Sequence, residues 1–513
     1  MVMQGSQVVT AAQMKLVEDS IFGAGMPVSA LMEKVAIRIA ERFSQIFPKS
    51  THPKVGMLVG AGHNGGDALV VARELWHQGR QVQLHLLPTD TIKPLTHSHL
   101  QYAKYLGIPS ADLASLKTCN VVIDGWFGMG LTKELTEGVV NAIATVNAMN
   151  LPVVSIDLPS GLDTDTGLPW GNAIQATYTF CLGLWKPACL IDTALEYVGQ
   201  AELIGFDIPT LSLNQVLENH NLWRIEPKLA LQTLPRLRSL AVHKYQMGSL
   251  LLVVGSRTYA GAAVLAGLGA KASGVGMLTI AVPNSIRDLV LSQIPDALVV
   301  GCPETDSGAI AQLSQLDLSK YDAIACGCGW TLNAQVLPQI LSASCPLVLD
   351  ADGLNLMVKS GAKQGIESLQ TRKNTVLTPH RGEFTRLFPD LQLDRDSLHA
   401  VQIAARRSGA VVLLKGARTA IGFAKDNLPQ VWINPESTPA LARGGSGDVL
   451  TGMIGGLLAQ GISTDQAAIA ATVWQAQTAI WLVNQRSEMG VDALTLANHL
   501  TTFLGSPYLD LIK

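Results

Sequence analysis

The chain has 513 residues, of which 48% are hydrophobic and 15% charged, and its formal net charge is -3. This length exceeds one ordinary hydrophobic core, so two large or three smaller domains are expected. The small negative charge and the lack of a basic stripe argue against nucleic acid or an acidic membrane as the main partner, and no uncharged apolar run reaches about 18 residues. The sequence therefore predicts a soluble, cytoplasmic protein that acts on small molecules.

The seven cysteines are scattered through apolar runs and are odd in number, so they do not indicate a disulfide framework. Cys326 and Cys328 lack the two-residue gap of a typical zinc site. We expect the cysteines to be small buried side chains in a reducing compartment.

The first half alternates strands and helices after two opening helices. Thr10 is the expected cap of the first helix, and the second begins after Pro27 and carries apolar residues at helical spacing. Three short apolar strands follow, each ending in a polar, glycine-containing loop. The strands are Lys54–Val59, Val121–Ile123 and Val153–Ile156, and the loops are GAGHNGGD (60–67), DGWFGMG (124–130) and DLPSG (157–161).

Strands joined by right-handed crossovers run parallel, so the three loops should meet at one edge of one sheet, where open α/β sheets bind ligands. The alternative is that each loop carboxylate is satisfied by nearby N–H groups and has no further role. That explanation suits any one loop better than three converging ones. We expect the helix after the first loop to begin at Ala68.

In this order the three loops resemble those of the NAD(P)H-hydrate epimerase family, and the similarity spans about Thr10 to Asp207. The resemblance implies a potassium ion bound by Asn64, Asp124 and Ser160, and it makes Asp157 the group that assists loss and return of the C6 hydroxyl. The family usually has Asn at the position of His63 and Gly at that of Ala68. The implied substrate-binding residues are His63, Asn64, Gly65, Gly66, Asp67, Gly128, Met129, Gly130, Leu131, Thr132, Lys133, Glu134 and Asp157.

Between about Pro209 and Ser239 the sequence loses strand periodicity and gains prolines and polar residues, which is typical of a domain boundary. The predicted domains are residues 1–222 and 223–513. A second α/β rhythm begins near His243. Its predicted strands are Ser249–Val254, Met277–Val282, Ala323–Ala325, Pro346–Leu349, Thr375–Leu377, Val411–Leu414 and Thr419–Phe423.

Polar motifs again follow these strands: GCGW (327–330), DADGLN (350–355), TPHRGEF (378–384) and KGART (415–419). His380 could be an ordinary exposed loop histidine, and Lys415 a solvated cation. Together with the glycine turn RGGSGDVLTG (443–452), which opens a helix running to about Gln460, they indicate a site for a nucleotide and a hydroxyl-bearing substrate. Taken alone, the turn fits a structural role as well as an anion site beside the Asp448 carboxylate.

The ordered motifs of the second half resemble the ADP-dependent NAD(P)H-hydrate dehydratase family, a ribokinase-like group, from about His243 to the C-terminus. The resemblance implies that phosphate is transferred from ADP to the hydrate, giving AMP, and that Asp448 takes the hydroxyl proton. It places Ala262, Gly329, His380 and Asp448 on the hydrate. It places Lys415, Gly416, Ala417, Arg418, Thr419 and Gly447 on the adenine nucleotide.

The sequence as a whole predicts two three-layer α/β/α domains, Rossmann-like and then ribokinase-like, that interconvert the R and S forms of NAD(P)H hydrate and dehydrate the S form. A small-molecule kinase fused to a nucleotide-binding module is the nearest alternative, and a first half that only senses or scaffolds is another. We expect Mg2+ on the nucleotide phosphates, ADP and NAD(P)H hydrate as ligands, and a homo-oligomer. A glycine-rich anion site does not distinguish ADP from ATP.

Overall fold

The computed structural model describes residues 6–89, 91–359, 361–372, 374–425 and 428–511. The chain divides into two compact units, Met1–Leu222 and Trp223–Lys513. No helix among the described residues is both long and apolar enough to cross a membrane.

The first unit is a parallel sheet with helices on both faces. Its strands are β1 (Lys54–Val59), β2 (Gln81–Leu86), β3 (Val121–Gly125), β4 (Val153–Ile156), β5 (Tyr178–Leu182) and β6 (Gln200–Ile204). Its helices are α1 (Ala11–Gly23), α2 (Val28–Ile46), α3 (His63–His77), α4 (Pro94–Tyr105), α5 (Glu137–Asn147), α6 (Leu195–Val198) and α7 (Thr210–Val216).

The strand order of this sheet is β2-β1-β3-β4-β5-β6. Met57 and Val59 pack into the core that contains α2 and α3, whereas Leu58 packs into the opposite core with Ile143 of α5. This alternation makes a three-layer, Rossmann-like unit with an order of the flavodoxin type. The chain reverses its direction of winding between β1 and β3, so the loops after these strands lie at the crevice where such sheets bind ligands.

The predicted parallel arrangement of the three site strands is confirmed, since β1 pairs with β3 and β3 with β4 in parallel. The predicted start of the third helix is wrong: α3 begins at His63, so His63–Asp67 form its first turn rather than a loop. Glycines 65 and 66 suggested a turn, but a Cβ built on Gly65 would lie 1.9 Å from the carbonyl oxygen of Gly60. Glycine is needed there for a close approach of helix and strand. The sequence analysis also missed β5 and β6.

The second unit is built on a larger sheet. Its strands are β7 (Leu222–Arg224), β8 (Ser249–Val253), β9 (Met277–Pro283), β10 (Leu298–Cys302), β11 (Ala323–Cys326), β12 (Leu347–Leu349), β13 (Thr375–Leu377), β14 (Val411–Leu414), β15 (Thr419–Lys425) and β16 (Leu428–Asn434). Its helices are α8 (Pro227–Gln232), α9 (Ala260–Ala272), α10 (Arg287–Gln293), α11 (Leu337–Leu341), α12 (Ala351–Lys359), α13 (Ala362–Gln370), α14 (Arg381–Leu387), α15 (Ser397–Ser408), α16 (Ser446–Ala459), α17 (Thr464–Arg486), α18 (Ala493–Leu504) and α19 (Tyr508–Leu511).

The strand order is β10-β9-β8-β11-β12-β13-β14-β15-β16-β7, and β15 and β16 are antiparallel additions to a parallel sheet. Leu250 and Leu252 face the core formed with α9 and α16. Leu251 and Val253 are also buried, and they point to the other face because side chains alternate along a strand. The direction of winding reverses between β8 and β11, so the loops after these strands also border a ligand crevice.

The predicted strands of the second half are all present, but β10 and β16 were missed. The segment expected to be a linker with a short helix also contains β7, at the edge of the second sheet beside β16. Three residues are too short to show a periodicity, which is why this strand escaped notice. All seven cysteines are free, and six are buried, as expected.

Candidate active sites

The first candidate site lies where the loops after β1, β3 and β4 meet. A Cβ built on Gly128 would lie 3.1 Å from Oδ2 of Asp157 and 3.4 Å from Cγ of Asn64, so one residue from each loop reaches the same point. The backbone N–H of Met129 donates to Oδ2 of Asp157 over 3.3 Å. The predicted convergence of the three loops is therefore confirmed by these contacts.

Asp157 is held in an unusual backbone conformation beside a buried cation. Its φ is 67°, in the left-handed region that non-glycine residues seldom adopt, and such strain concentrates at functional sites. Its Oδ1 accepts a hydrogen bond of 2.7 Å from Nζ of Lys186, whose side chain is 1% exposed. Burial opposes the charge on Lys186, but Asp157 and the thiols of Cys181 and Cys189 together outweigh it and raise the lysine pKa. The pair is thus a buried ion pair.

Two more carboxylates lie close to this pair. Met14 of α1 packs near Gly183, three residues before Lys186, and Glu18 follows one helical turn after Met14 on the same face. Burial raises the pKa of Glu18 to about 7, with Lys186 opposing and Asp157 adding to the rise. The pKa of Asp67 is raised well above its usual value by burial, by Asp157 and by Glu18. Lys186 therefore acts on the carboxylates of Asp157 and Glu18, and Asp67 lies near both acids; Glu18 and Asp67 bind protons more tightly than usual.

The carboxylate of Asp124 is fully buried and accepts four hydrogen bonds. The hydroxyl of Ser160 donates to its Oδ1 over 2.6 Å, and the N–H of Ser160 and the hydroxyl of Ser155 donate to Oδ2 over 2.8 Å each. The N–H of Trp126 donates to Oδ1 over 3.3 Å. Burial raises the pKa of Asp124, and the bonds from Ser160 partly offset this. These contacts fix the loop after β3 to the loop after β4.

The other residues predicted for this site are distributed unevenly. Gly65 and Gly66 are buried and Asn64 and Asp67 are half-buried in the first turn of α3, whereas His63 is exposed. Gly128 and Met129 lie at Asp157, while the loop beyond them turns outward: Leu131 is half-buried and Gly130, Thr132, Lys133 and Glu134 are exposed. The sequence analysis missed Lys186 and Glu18. Lys186 carried a signal, as the single charge in the apolar run FCLGLWKPACL (180–190).

The second candidate site forms around the start of α16. Gly445 caps this helix with a φ of 95°, a conformation that glycine adopts without strain. The first N–H groups of α16 have no partner within the helix, and they face outward with the positive end of the helix dipole. A Cβ built on Gly447 would lie 3.3 Å from Nζ of Lys415 and 3.7 Å from Oδ2 of Asp350. The predicted anion site thus has a lysine beside it.

Asp350, which the sequence analysis did not single out, connects the elements of this site. It follows β12 and is 1% exposed. Its Oδ1 accepts from Nζ of Lys415 over 2.7 Å and from the N–H of Ala351 over 2.9 Å, and its Oδ2 accepts from the hydroxyl of Thr451 over 2.7 Å. Burial opposes the charges of Asp350 and Lys415, but their mutual attraction lowers the pKa of the aspartate and raises that of the lysine. They form a second buried ion pair.

Asp448, by contrast, forms no ion pair with any of the described residues. It is half-buried in the first turn of α16. Burial and then the negative charge of Asp350 raise its pKa to about 6, and a hydrogen bond with Cys328 opposes the rise. At neutral pH this carboxylate is mostly ionised and close to its pKa, which suits a general base.

The remaining predicted residues lie around this centre. A Cβ built on Gly329 would lie 2.8 Å from Cβ of Ala262, so the loop after β11 touches the first turn of α9, the helix that follows β8, at the crevice. His380 follows β13 and caps α14: its Nδ1 accepts from the N–H of Gly382 over 3.0 Å, and its Nε2 faces Oε1 of Glu383 at 3.3 Å. Gly416 and Ala417 are exposed, and Arg418 and Thr419 are half-buried, in the turn after β14.

Comparison with known proteins covers both units. Residues 250–502 match the family described as NAD(P)H-hydrate dehydratase, and residues 28–188 match the family described as YjeF-related protein N-terminus. The bifunctional NAD(P)H-hydrate repair enzyme Nnr of Synechocystis sp. is 52% identical over 503 residues, which are 96% of this chain and 94% of that protein. The enzyme of the same name from Thermosynechococcus vestitus is 49% identical over 501 residues, 96% of each chain. A crystal structure of the ADP/ATP-dependent NAD(P)H-hydrate dehydratase from Bacillus subtilis is 31% identical, covers 54% of this chain and 96% of its own, and has a TM-score of 0.45.

Two α/β units with polar loops gathered at the crevice of each sheet define a two-site enzyme of small metabolites, with nucleotide chemistry in the second unit. The similarity to these relatives identifies the family within this class of enzymes. The chain belongs to the family of bifunctional NAD(P)H-hydrate repair enzymes.

Proposed function

We propose that this chain repairs hydrated nicotinamide nucleotides: the first unit, residues 1–222, interconverts the R and S forms of NAD(P)H hydrate, and the second, residues 223–513, dehydrates the S form. ADP is the co-substrate and becomes AMP and phosphate. The observation that carries the proposal is the match to bifunctional relatives over 96% of the chain, which includes both candidate sites. The two reactions act in sequence on one metabolite.

In the first unit Asp157 assists loss and return of the C6 hydroxyl. Its ion pair with Lys186 fixes the carboxylate, and the N–H of Met129 orients Oδ2 toward Asn64 and Gly128. His63–Asp67 and the loop Gly128–Glu134 hold the nucleotide. Exposure of Gly130 and Thr132–Glu134 leaves that part of the loop accessible to the portion of the ligand outside the crevice.

A potassium ion fits the residues Asn64, Asp124 and Ser160. All three carry oxygen ligands of the kind that hard cations prefer, and Asp124 is a buried carboxylate whose hydrogen-bond donors are hydroxyl and backbone groups without charge. The amide of Asn64 is buried, and no partner is recorded for its Nδ2 in the described part of the chain. When bound, the ion supplies positive charge beside the substrate.

In the second unit Asp448 takes the proton of the substrate hydroxyl while the phosphoryl group of ADP is transferred to its oxygen. The N–H groups at the start of α16 and the ammonium of Lys415 face the transferring phosphoryl group and stabilise its charge. Phosphate then leaves C6 with the electron pair of the C–O bond, and the neighbouring ring carbon loses a proton, so that the ring double bond forms again. Ala262, Gly329 and His380 contact the hydrate, and Lys415–Thr419 with Gly447 hold the nucleotide, which we expect to carry Mg2+.

The test is incubation of the protein with hydrated NADH and ADP, followed by absorbance of NADH. We expect absorbance to return with the S hydrate, and with the R hydrate through epimerisation. Asp448→Asn should lower the dehydration rate by about 10²–10⁴-fold and leave epimerisation intact. Asp157→Ala should abolish epimerisation of the R hydrate and leave dehydration of the S hydrate largely intact. No return of absorbance with either ADP or ATP refutes the proposal, and a stable phosphorylated alcohol as product indicates a small-molecule kinase instead.

A further inference from the structure

The carboxylate of Asp350 is the point at which three elements of the second site meet. It stands at the end of β12, Lys415 stands at the end of β14, and Thr451 belongs to α16. Both carboxylate oxygens are used: Oδ1 accepts from Lys415 and Oδ2 accepts from Thr451, each over 2.7 Å. Asp350 is 1% exposed and Thr451 is fully buried, so solvent does not compete for these bonds.

Each of the two bonds constrains a group that the reaction uses. Lys415 is a long side chain with many rotamers, and the bond to Asp350 selects the one that places Nζ next to Gly447. Thr451 lies three residues after Asp448, on the same side of α16 one turn further along. Its bond to Asp350 therefore fixes the rotation of the helix turn that carries Asp448.

The backbone around Asp350 supports a specific position for this carboxylate. Ala351, the next residue, has a φ of 49°, in the left-handed region. Its N–H turns back to Oδ1 of Asp350. A Cβ built on Gly327 would lie 2.0 Å from the carbonyl oxygen of Asp350, so the neighbouring loop after β11 also approaches this residue closely.

We propose that Asp350 is a positioning residue of the dehydratase site: it holds the Lys415 ammonium beside the phosphate-binding turn and, through Thr451, holds the helix turn that presents Asp448. This inference rests on the proposed dehydration reaction. Asp350 does not need to touch substrate for this role, because the groups it holds do so. Misplacement of such groups by about 1 Å can cost on the order of 10²-fold in rate.

The charge of Asp350 has a second effect, which makes its role measurable. The groups that face Asp448 are Asp350 after β12, Asp352 in α12, Lys415 after β14 and Cys328 after β11. The two aspartates raise the pKa of Asp448, and Lys415 and Cys328 lower it. Removal of the Asp350 charge should therefore move the acidic limb of the rate profile to lower pH.

The test compares the wild type with Asp350→Asn, which keeps the shape of the side chain and removes its charge. We expect kcat for dehydration to fall by about 10²-fold. The KM for ADP should not rise, because Lys415 then faces the phosphates without a neutralising carboxylate. The acidic limb of kcat should move down by about one pH unit. Binding of ADP measured by calorimetry should be as strong as in the wild type.

Thr451→Val separates the two roles, since it breaks the bond to α16 and leaves both charges in place. We expect kcat to fall by about tenfold with no shift of the acidic limb. Thr478→Val is the matched control. Its hydroxyl is as deeply buried as that of Thr451, but it donates only to the carbonyl of Trp474 in its own helix, so kcat and KM should be unchanged.

A wild-type kcat in Asp350→Asn overturns the inference, and so does a KM for ADP that rises in step with the loss of kcat while the acidic limb stays in place. That second pattern indicates general loss of structure. If Asp350→Asn does not fold, a wild-type kcat in Thr451→Val overturns the inference in its place. A wild-type protein that does not return NADH absorbance is a different outcome, because it refutes the dehydratase function itself and the inference with it.

Discussion

The buried pair Lys186–Asp157 provides the sharpest test of how the first site is held together. Its two side chains are 1% and 9% exposed, and Nζ lies 2.7 Å from Oδ1. At an effective dielectric constant of about 20, this separation corresponds to roughly 6 kcal/mol of attraction before the desolvation of both charges is subtracted. Removal of only one partner leaves an uncompensated buried charge, which typically costs about 3–5 kcal/mol.

Lys186→Met keeps the length of the apolar stem and removes the ammonium. We expect the free energy of unfolding of the first unit to fall by about 3–5 kcal/mol at pH 8. The loss should be smaller at pH 5.5, because Glu18 and Asp67 have raised pKa values and become protonated on acidification, which relieves their repulsion of Asp157. The double variant Lys186→Met/Asp157→Asn should be more stable than the sum of the two single losses predicts, by about 2 kcal/mol or more.

Hydrogen exchange resolves the two units within one protein. Peptides from β4 and β5 report the unfolding free energy of the first unit, and peptides from β8 and β11 provide the internal reference. Lys34→Met is the matched control, because its partner Asp207 is 65% exposed and solvent screens such a surface ion pair, so the variant should keep the wild-type stability. A loss below about 1 kcal/mol for Lys186→Met, or strict additivity in the double variant, would refute the view that this pair is a buried, coupled ion pair.

Two further predictions follow from raised pKa values. The kcat of dehydration should fall about tenfold per pH unit below pH 6, because the pKa of Asp448 is about 6. The rate of epimerisation by the same sample should not show this fall. A dehydration rate that stays constant down to pH 5 contradicts the assignment of the base. The folded pKa of Glu18, about 7, exceeds its ordinary 4.5, so its contribution to stability is present in acid and is lost as pH rises to 7. Between pH 5 and pH 8 the free energy of unfolding of Glu18→Gln, measured by thermal unfolding, should therefore rise by up to about 3 kcal/mol relative to that of the wild type. The control Glu41→Gln, at an exposed position, should show no such rise. Equal pH dependence of both variants argues against a desolvated Glu18.

The sequence sufficed to predict which loops meet, because the order of parallel strands follows from their connections. The three loops of the first unit and four motifs of the second lie at the carboxyl ends of neighbouring parallel strands, and the glycine turn RGGSGDVLTG opens α16 beside them. What sequence did not show is the partner of each charge. Asp350 is the first residue of the predicted motif DADGLN, and Lys186 lies outside the predicted motifs. The roles of both depend on burial and on contacts across 65 and 29 residues of sequence separation, respectively.

The missed elements have a similar explanation. β7 has three residues and belongs to the sheet through its pairing with the neighbouring strand β16. The start of α3 was predicted wrongly because its glycines have two opposite effects. Glycine has a low helix propensity in isolation, but in the folded unit it allows the helix to approach a strand closely. The local sequence pattern shows the low helix propensity. The close approach is seen only from the position of Gly60 in the folded unit.

The two units use the same pair of residue types in different ways. In the first unit the catalytic candidate Asp157 is itself the partner of the buried lysine. In the second unit Asp350 pairs with the lysine, and the catalytic candidate Asp448 forms no ion pair within the described residues; burial and then the charge of Asp350 raise its pKa to about 6. A base that must accept a full proton during phosphoryl transfer needs this raised proton affinity. A lysine paired directly with the base would lower its proton affinity. The position of the lysine, more than the number of carboxylates, therefore decides what each aspartate can do.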